Sequence, residues 1–214
     1  NVTLDLANGS NYQIAEKVFE EFGFNIFAYN NEPNGKNINK NCGSTSINNL
    51  PDLVKRNNSD YGLSMDGDGD RIVIVNKDGK ILDGDDILYT IIRGKLFNKE
   101  EVKGVVGTIM TNLAFENFLK KEKIKFLRTS VGDKNVLEAM IKNGFTIGGE
   151  TSGHILLLDK LTSGDSIIAS LVFLYYSSIL KSSGENDFLK KFPQKLTNLK
   201  INKNLPENII NIAI

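Results

Sequence analysis

The chain has 214 residues, 40% of them hydrophobic, enough for a substantial core or for two domains of about 100 residues each. Its 26 Lys and Arg balance 26 Asp and Glu, so no global field draws it to nucleic acid or to an anionic membrane, and function must be sought in local sites. A single cysteine, Cys42, excludes an intrachain disulfide and a CxxC metal or redox motif, which suits a reducing compartment and makes the cytoplasm the expected location.

In chain order, Val2 to Leu6 reads as a strand stopped by the breaker "ANG". Tyr12 to Phe22 carries Ile14, Ala15, Val18, Phe19 and Phe22 at helical spacing, with Gly23 suited to the C′ position. Phe24 to Tyr29 is a second strand, "NNEPNGKNINKNCGS" a polar loop, and Ile47 to Arg56 a helix. "YGLSM" and "RIVIV" are strands on either side of an acidic loop, and a short "IL" follows the turn "NKDGK". "DGDDILYTIIRGKLF" opens on carboxylates that suit a helix N-terminus and continues with an apolar face.

The order then restarts. "VKGVVGTI" is a strand, "TNLAFENFLKKEK" a helix, "IKFLRT" a strand and "GDKNVLEAMIKNG" a helix stopped by Gly144. "FTIGGE" and "HILLLD" are strands, and "GDSIIASLVFLYYSSILK" is a long helix. Its apolar run, Ile167 to Tyr176, is about half of the ~20 residues needed to span a bilayer, and Asp165 and Lys181 bracket it, so it reads as buried. The element order β-α-β-α-β-β-α thus appears twice, which predicts two tandem α/β domains with mixed, largely parallel sheets flanked by helices. The expected boundaries are 1–99, 100–203 and a linker over 204–214. The start at "NVTLDLANG", without an initiator Met, reads as a piece cut from a longer chain, and no signal or transit peptide is visible.

The stretch "SMDGDGDRIVIV", Ser64 to Val75, raises the sharpest chemical question. Alternate residues of a strand lie about 6.5–7 Å apart on one face, too far for three carboxylates to hold one ion. Gly67 and Gly69 tolerate positive φ and let the loop curl so that Asp66, Asp68 and Asp70 point inward. Three gathered negative charges call for a counter-charge, and all-oxygen ligation suits a hard cation such as Mg²⁺, Ca²⁺ or Mn²⁺. An EF-hand fails, because counting from Asp66 places Arg71 where its glycine belongs and Lys77 where its glutamate belongs. A solvated acidic turn is the bland alternative. The third reading is a catalytic Mg²⁺ site in which Arg71 clamps an anion, since a cation plus an arginine is a common way to manage phosphoryl charge.

"DGDGDR" between two strands resembles the metal loop of the α-D-phosphohexomutases. So do "LDLANGS", "EPNGKNIN", "VGD" at Val131 to Asp133, "GGETSGHI" at Gly148 to Ile155, "LDKLTSGD" at Leu158 to Asp165 and "KFPQKL", all in family order. The wording is nearest to the bacterial phosphoglucosamine mutases within that family. The resemblance implies the second and third domains of a four-domain enzyme. It implies Mg²⁺ on Asp66, Asp68 and Asp70, completed by a phosphoserine, with Arg71 steadying the transferring phosphoryl group. The implied reaction interconverts glucosamine 6-phosphate and glucosamine 1-phosphate through a phosphoserine and a bisphosphate intermediate, for UDP-N-acetylglucosamine synthesis.

The same resemblance makes Glu150 and Ser152 the sugar contacts and adds His154, Asp133 and Lys134 to Arg71 as catalytic candidates. His154 is the only histidine, and a lone His beside a strand also fits a purely structural role. Asp133 equally fits an N-cap. Lys134 keeps the charge of the family arginine but loses its bidentate fork. Lys160 and Asp165 read as structural. Thr151 departs from the Gln, Asn or Met usual at its position, which leaves the sugar open between glucosamine, glucose and mannose phosphates. Neither a "TASHNP"-like serine loop nor an "RxSGTEP"-like phosphate loop occurs in the sequence. The expected partners are therefore the sugar phosphate and flanking domains of a parent chain, with no nucleic acid and no membrane, and the fragment alone is expected to be inactive. The rival from another class is a non-catalytic cation-binding module, in which charge reversal at Glu150 would be silent.

Overall fold

The computed structural model describes residues 1–47, 49–184 and 187–197. The elements are β1 (Val2–Asp5), a 3-10 turn (Ser10–Gln13), α1 (Ala15–Glu21), β2 (Ile26–Tyr29), α2 (Leu50–Arg56), β3 (Tyr61–Met65), β4 (Ile72–Asn76), β5 (Ile81–Leu82) and α3 (Gly84–Phe97). The second series is β6 (Gly104–Thr108), α4 (Leu113–Lys121), β7 (Lys125–Thr129), α5 (Asp133–Asn143), β8 (Ile147–Gly149), β9 (Ile155–Leu157) and α6 (Ser166–Ser182). The segment 204–214, expected to be a linker, lies outside the described residues.

The first sheet has the order β2-β1-β3-β4-β5 and the second β7-β6-β8-β9. In the first, β2, β1 and β3 run parallel and β3-β4-β5 is an antiparallel meander. In the second, β7, β6 and β8 are parallel and β9 returns antiparallel. Both sheets are mixed, the first evenly so, because the short links after β3 and β8 allow only an antiparallel return.

Strand alternation divides each sheet into two faces. From β3 and β4, Leu63, Met65, Ile72 and Ile74 enter the main core, and Val75 turns the other way to meet Leu50 and Val54 of α2. Gly62 lets α2 approach, since a Cβ there would lie 2.4 Å from Val54 Cγ2. In the second sheet Val105, Ile147, Ile155 and Leu157 face the same main core, and Val106 and Leu156 meet Val136 and Met140 of α5. Helices α1, α3, α4 and α6 contribute Phe19, Ile91, Phe115 and Phe173 to that core, so one continuous apolar body joins both halves. In it α3 packs closely on α6, where a Cβ on Gly94 would meet the Tyr176 side chain.

The helix expected over Tyr12 to Phe22 is split. A 3-10 turn precedes α1, and Ile14 at the junction is exposed rather than part of the apolar face. Gly23 does take the left-handed φ of +83° that ends α1, and Gly144, φ +64°, ends α5.

Candidate functional site

The acidic loop links β3 to β4, with the sheet fixing both of its ends. The Gly67 carbonyl accepts from Ser10 N at 2.8 Å, and the Gly69 carbonyl accepts from Ser166 N, at the start of α6, at 2.9 Å. Asn11 Nδ2 donates to Ser166 Oγ at 3.0 Å, closing the support from beneath. Of the two loop glycines, only Gly69 has a positive φ, +80°. Gly67 corrects the expectation for that position. Its φ is not positive, and a Cβ there would lie 2.6 Å from Ile38 Cδ1 and 2.7 Å from Asn39 Nδ2, so those two side chains would have to move aside.

Held this way, Asp66, Asp68 and Asp70 place one carboxylate oxygen each within 4.8 Å of one another. Arg71 N donates to Asp66 Oδ1 at 3.0 Å, while its Nε lies 3.9 Å from Asp66 Oδ2 and 3.8 Å from Asp70 Oδ1. Asp70 Oδ2 meets His154 Nδ1 at 3.0 Å, whereas Asp70 Oδ1 is buried with no hydrogen-bond partner. Burial pushes the Asp66 carboxyl up to about 6, with the Arg71 amide opposing and the Asp70 and Asp68 carboxylates adding to the rise. An orphaned buried oxygen and a destabilised carboxylate are what an all-oxygen site for a hard divalent cation shows without its counter-charge. The donor set therefore fits Mg²⁺, and its strand flanks agree with rejecting an EF-hand.

The second loop joins β8 to β9 and abuts the first. Arg71 and His154 form an antiparallel bridge, and Ile72 N donates to the Gly153 carbonyl at 3.1 Å. Gly153, φ +95°, is required here, because a Cβ would lie 2.2 Å from Ile72 O. Gly164 packs on the His154 ring, where a Cβ would come within 2.4 Å of Cε1. The histidine is buried, with Nδ1 on Asp70.

Glu150 Oε1 accepts from Gly132 N at 2.9 Å, which joins the sugar-loop candidate to the loop before α5. Ser152 is exposed beside it. Asp133 and Lys134 sit in the exposed first turn of α5. Asp133 Oδ1 accepts from Lys134 N at 2.7 Å, and Lys134 Nζ lies 3.8 Å from Glu138. The N-cap of α5 is Gly132 rather than Asp133. Asp165 caps α6 by accepting from Ile168 N at 2.8 Å, as its structural reading anticipated.

The structure therefore gathers Asp66, Asp68, Asp70, Arg71 and His154 into one contact group. It ties Glu150 to the loop ahead of Asp133 and leaves Ser152, Asp133 and Lys134 open to solvent. Sequence reasoning missed the supports Asn11 and Ser166; their polar side chains follow "ANG" and "SGD", so the motifs were seen and the contact between them was not. It also missed Asp85, which is 1% exposed. Its Oδ2 accepts from Asn112 N at 2.8 Å and its Oδ1 from Thr151 Oγ1 at 3.2 Å. Burial pushes Asp85 up to about 6, against the Asn112 amide. Elsewhere, a cavity of about 760 Å³ runs beside α6 between Val2, Tyr61, Leu174 and Tyr175, and no candidate residue of either loop lines it.

The family model described as phosphoglucomutase/phosphomannomutase, alpha/beta/alpha domain II, matches residues 1–79, and that of domain III matches residues 83–193. The phosphoglucosamine mutase of Ralstonia pickettii (strain 12J) is 42% identical over 207 residues, covering 94% of this chain and 46% of that protein. The chain spans about half the length of the curated relatives it matches. Among solved structures, a putative phosphomannomutase from Thermus thermophilus superposes with a TM-score of 0.73 at 19% identity, over 86% of this chain and 43% of that one. The Aspergillus fumigatus N-acetylphosphoglucosamine mutase, solved with GlcNAc-6P and magnesium, gives 0.64 at 21% identity, over 86% and 46%. At these identities the two structures show a shared fold.

Proposed function

This chain belongs to the phosphoglucomutase/phosphomannomutase family, and we propose that it is the metal- and sugar-holding part of a phosphohexomutase that interconverts glucosamine 6-phosphate and glucosamine 1-phosphate. The observation that carries this reading is the junction of the two loops. Three converging carboxylates, an arginine and a histidine on Asp70 stand directly against the Glu150 loop.

Asp66, Asp68 and Asp70 would hold Mg²⁺, which supplies positive charge where phosphoryl oxygens gather. Arg71, with its side chain 45% exposed, can reach an incoming phosphoryl group without leaving the loop. His154 orients Asp70 through Nδ1. Glu150 can accept from sugar hydroxyls with the carboxylate capacity that Gly132 leaves free, and exposed Ser152 can donate and accept beside it. Asp133 and Lys134 contribute from the start of α5, next to the Gly132 amide that holds Glu150. In the parent protein a phosphoserine gives its phosphoryl group to one sugar hydroxyl, and after the bisphosphate reorients the other phosphate returns to the serine. We take residues 1–99 and 100–203 as the two domains, with α3 packing against both sheets. The serine that gives and takes phosphate lies in a partner domain of the parent, so the chain by itself has no mutase activity.

The test is turnover of glucosamine, glucose and mannose monophosphates by a longer protein that carries this chain, with Mg²⁺ and a trace of hexose bisphosphate. Preference for glucosamine phosphate is the expected result. Preference for mannose or glucose phosphate moves the substrate to the neighbouring branch, and no turnover despite a phosphorylated serine overturns the sugar assignment.

A further inference from the structure

We propose that Asp85 is a positioning residue for the substrate-contact loop, and that Thr151 anchors that loop to it instead of reading the sugar. This rests on the sugar-loop reading of Glu150 and Ser152.

Thr151 lies between those two residues, so its conformation sets where both side chains start. Its backbone and its side chain are both committed to α3. The Thr151 carbonyl accepts from Gly84 N at 3.1 Å, and its hydroxyl donates to Asp85 Oδ1 at 3.2 Å. The approach is as close as a backbone allows, because a Cβ on Gly84 would lie 1.9 Å from the Glu150 carbonyl oxygen. A hydroxyl held on a carboxylate that is 1% exposed is turned toward the helix and is unavailable to a ligand held by Glu150 and Ser152.

The other carboxylate oxygen of Asp85 completes the frame. It accepts from Asn112 N, and the Asn112 side chain caps α4 through Ala114 N and accepts from Phe192 N. Asp85 thereby fixes the loop against two elements that do not themselves enter the site. On the far side of the loop the Glu150 carboxylate takes Gly132 N, so a shift at Thr151 is transmitted to that contact. A threonine here instead of an amide or a methionine is then a change of anchor, neutral with respect to which hexose phosphate is used.

The experiment compares Thr151→Val, which removes the hydroxyl and keeps the shape, with Thr151→Ser, which keeps the hydroxyl. In the longer protein, kcat and KM are measured for glucosamine, glucose and mannose monophosphates. In this chain, hydrogen exchange of the Gly132 amide is followed. Thr151→Val is expected to lower kcat about tenfold for every sugar phosphate that is turned over, with their ratio unchanged, and to speed Gly132 exchange by about the same factor. Thr151→Ser is expected to restore both. A changed sugar ratio, or Gly132 exchange that stays at the parent rate, overturns the proposal. If the unsubstituted longer protein turns over none of the sugars, the functional reading fails by itself, and faster or unchanged Gly132 exchange still decides the anchor. Should Thr151→Val fail to fold, Thr151→Ala lacks the same hydroxyl with less bulk and is read in the same way.

Discussion

The loops 66–71 and 150–154 touch each other and are built on opposite principles. The first concentrates more negative charge than it neutralises: three carboxylates, one half-exposed guanidinium, and a buried Asp70 oxygen with no hydrogen-bond partner. The second has its backbone and side chains almost wholly engaged, with Glu150, Thr151, Gly153 and His154 each bonded to another element. The difference separates two kinds of preparation. A loop that waits for a cation stores electrostatic tension, and its stability should rise when the ion or a neutralising substitution arrives. A loop that presents contacts to a sugar needs fixed geometry, and its stability should fall whenever an anchor is cut.

The largest expected effect breaks the second loop. Gly84→Ala forces a methyl group into the Glu150 carbonyl, and Gly153→Ala combines a clash at Ile72 O with an unfavourable φ. Each should destabilise the chain by about 3 kcal/mol or more, read by denaturant unfolding. An effect under about 1 kcal/mol at both positions would mean that the loop yields easily and that its rigidity has been overstated.

Next in size is a pH effect. Asp85 titrates near 6 in the fold against an ordinary value of 3.8, so the native state binds the proton more tightly than the unfolded one. That contribution is complete below about pH 4 and is lost as pH rises through about 6. Asp85→Asn removes the charge while its amide oxygen accepts from Asn112 N and its NH2 donates to Thr151 Oγ1, with the hydroxyl turned to accept. Relative to the parent chain it should therefore gain stability as pH rises from 4 to 7, by roughly 1–3 kcal/mol. A difference that is flat across that range contradicts the burial argument.

The first loop should behave in the reverse sense. Asp68→Asn removes one of three like charges at the most exposed position, so in chelator it should leave stability unchanged or raise it by up to ~1 kcal/mol, and it should abolish any rise in Tm on adding Mg²⁺. Marked destabilisation without metal would show that the aspartates serve the fold. The smallest effect belongs to Lys134→Ala, which removes only an exposed i,i+4 pair with Glu138 and should change stability by less than ~0.5 kcal/mol. A larger loss would place Lys134 in a contact absent from this structure.

Much of this was legible in the sequence because local chemistry settles it. Strand and helix order followed apolar periodicity, and Gly23 and Gly144 ended helices at their expected positions. The acidic loop was legible because three aspartates between strands have few structural uses. What stayed hidden depends on contacts between distant segments. The role of Gly67 is set by Ile38 and Asn39, which belong to another loop. Asp85 read only as one of the carboxylates that suit a helix N-terminus, and its burial follows from the approach of Thr151 and Asn112, which periodicity does not encode. For the same reason the packing of α3 on α6 was invisible, since an apolar helix face does not name the element that will cover it.

The most direct measurement is calorimetric titration of Mg²⁺ into this chain and into an Asp68→Asn, Asp70→Asn double variant. Saturable, weak binding by the parent chain, about millimolar, is expected, and it is lost in the variant. Equal heats from both proteins, or submicromolar affinity in the parent chain, would contradict the proposal that these three carboxylates form a cation site completed by a phosphoserine of the longer protein.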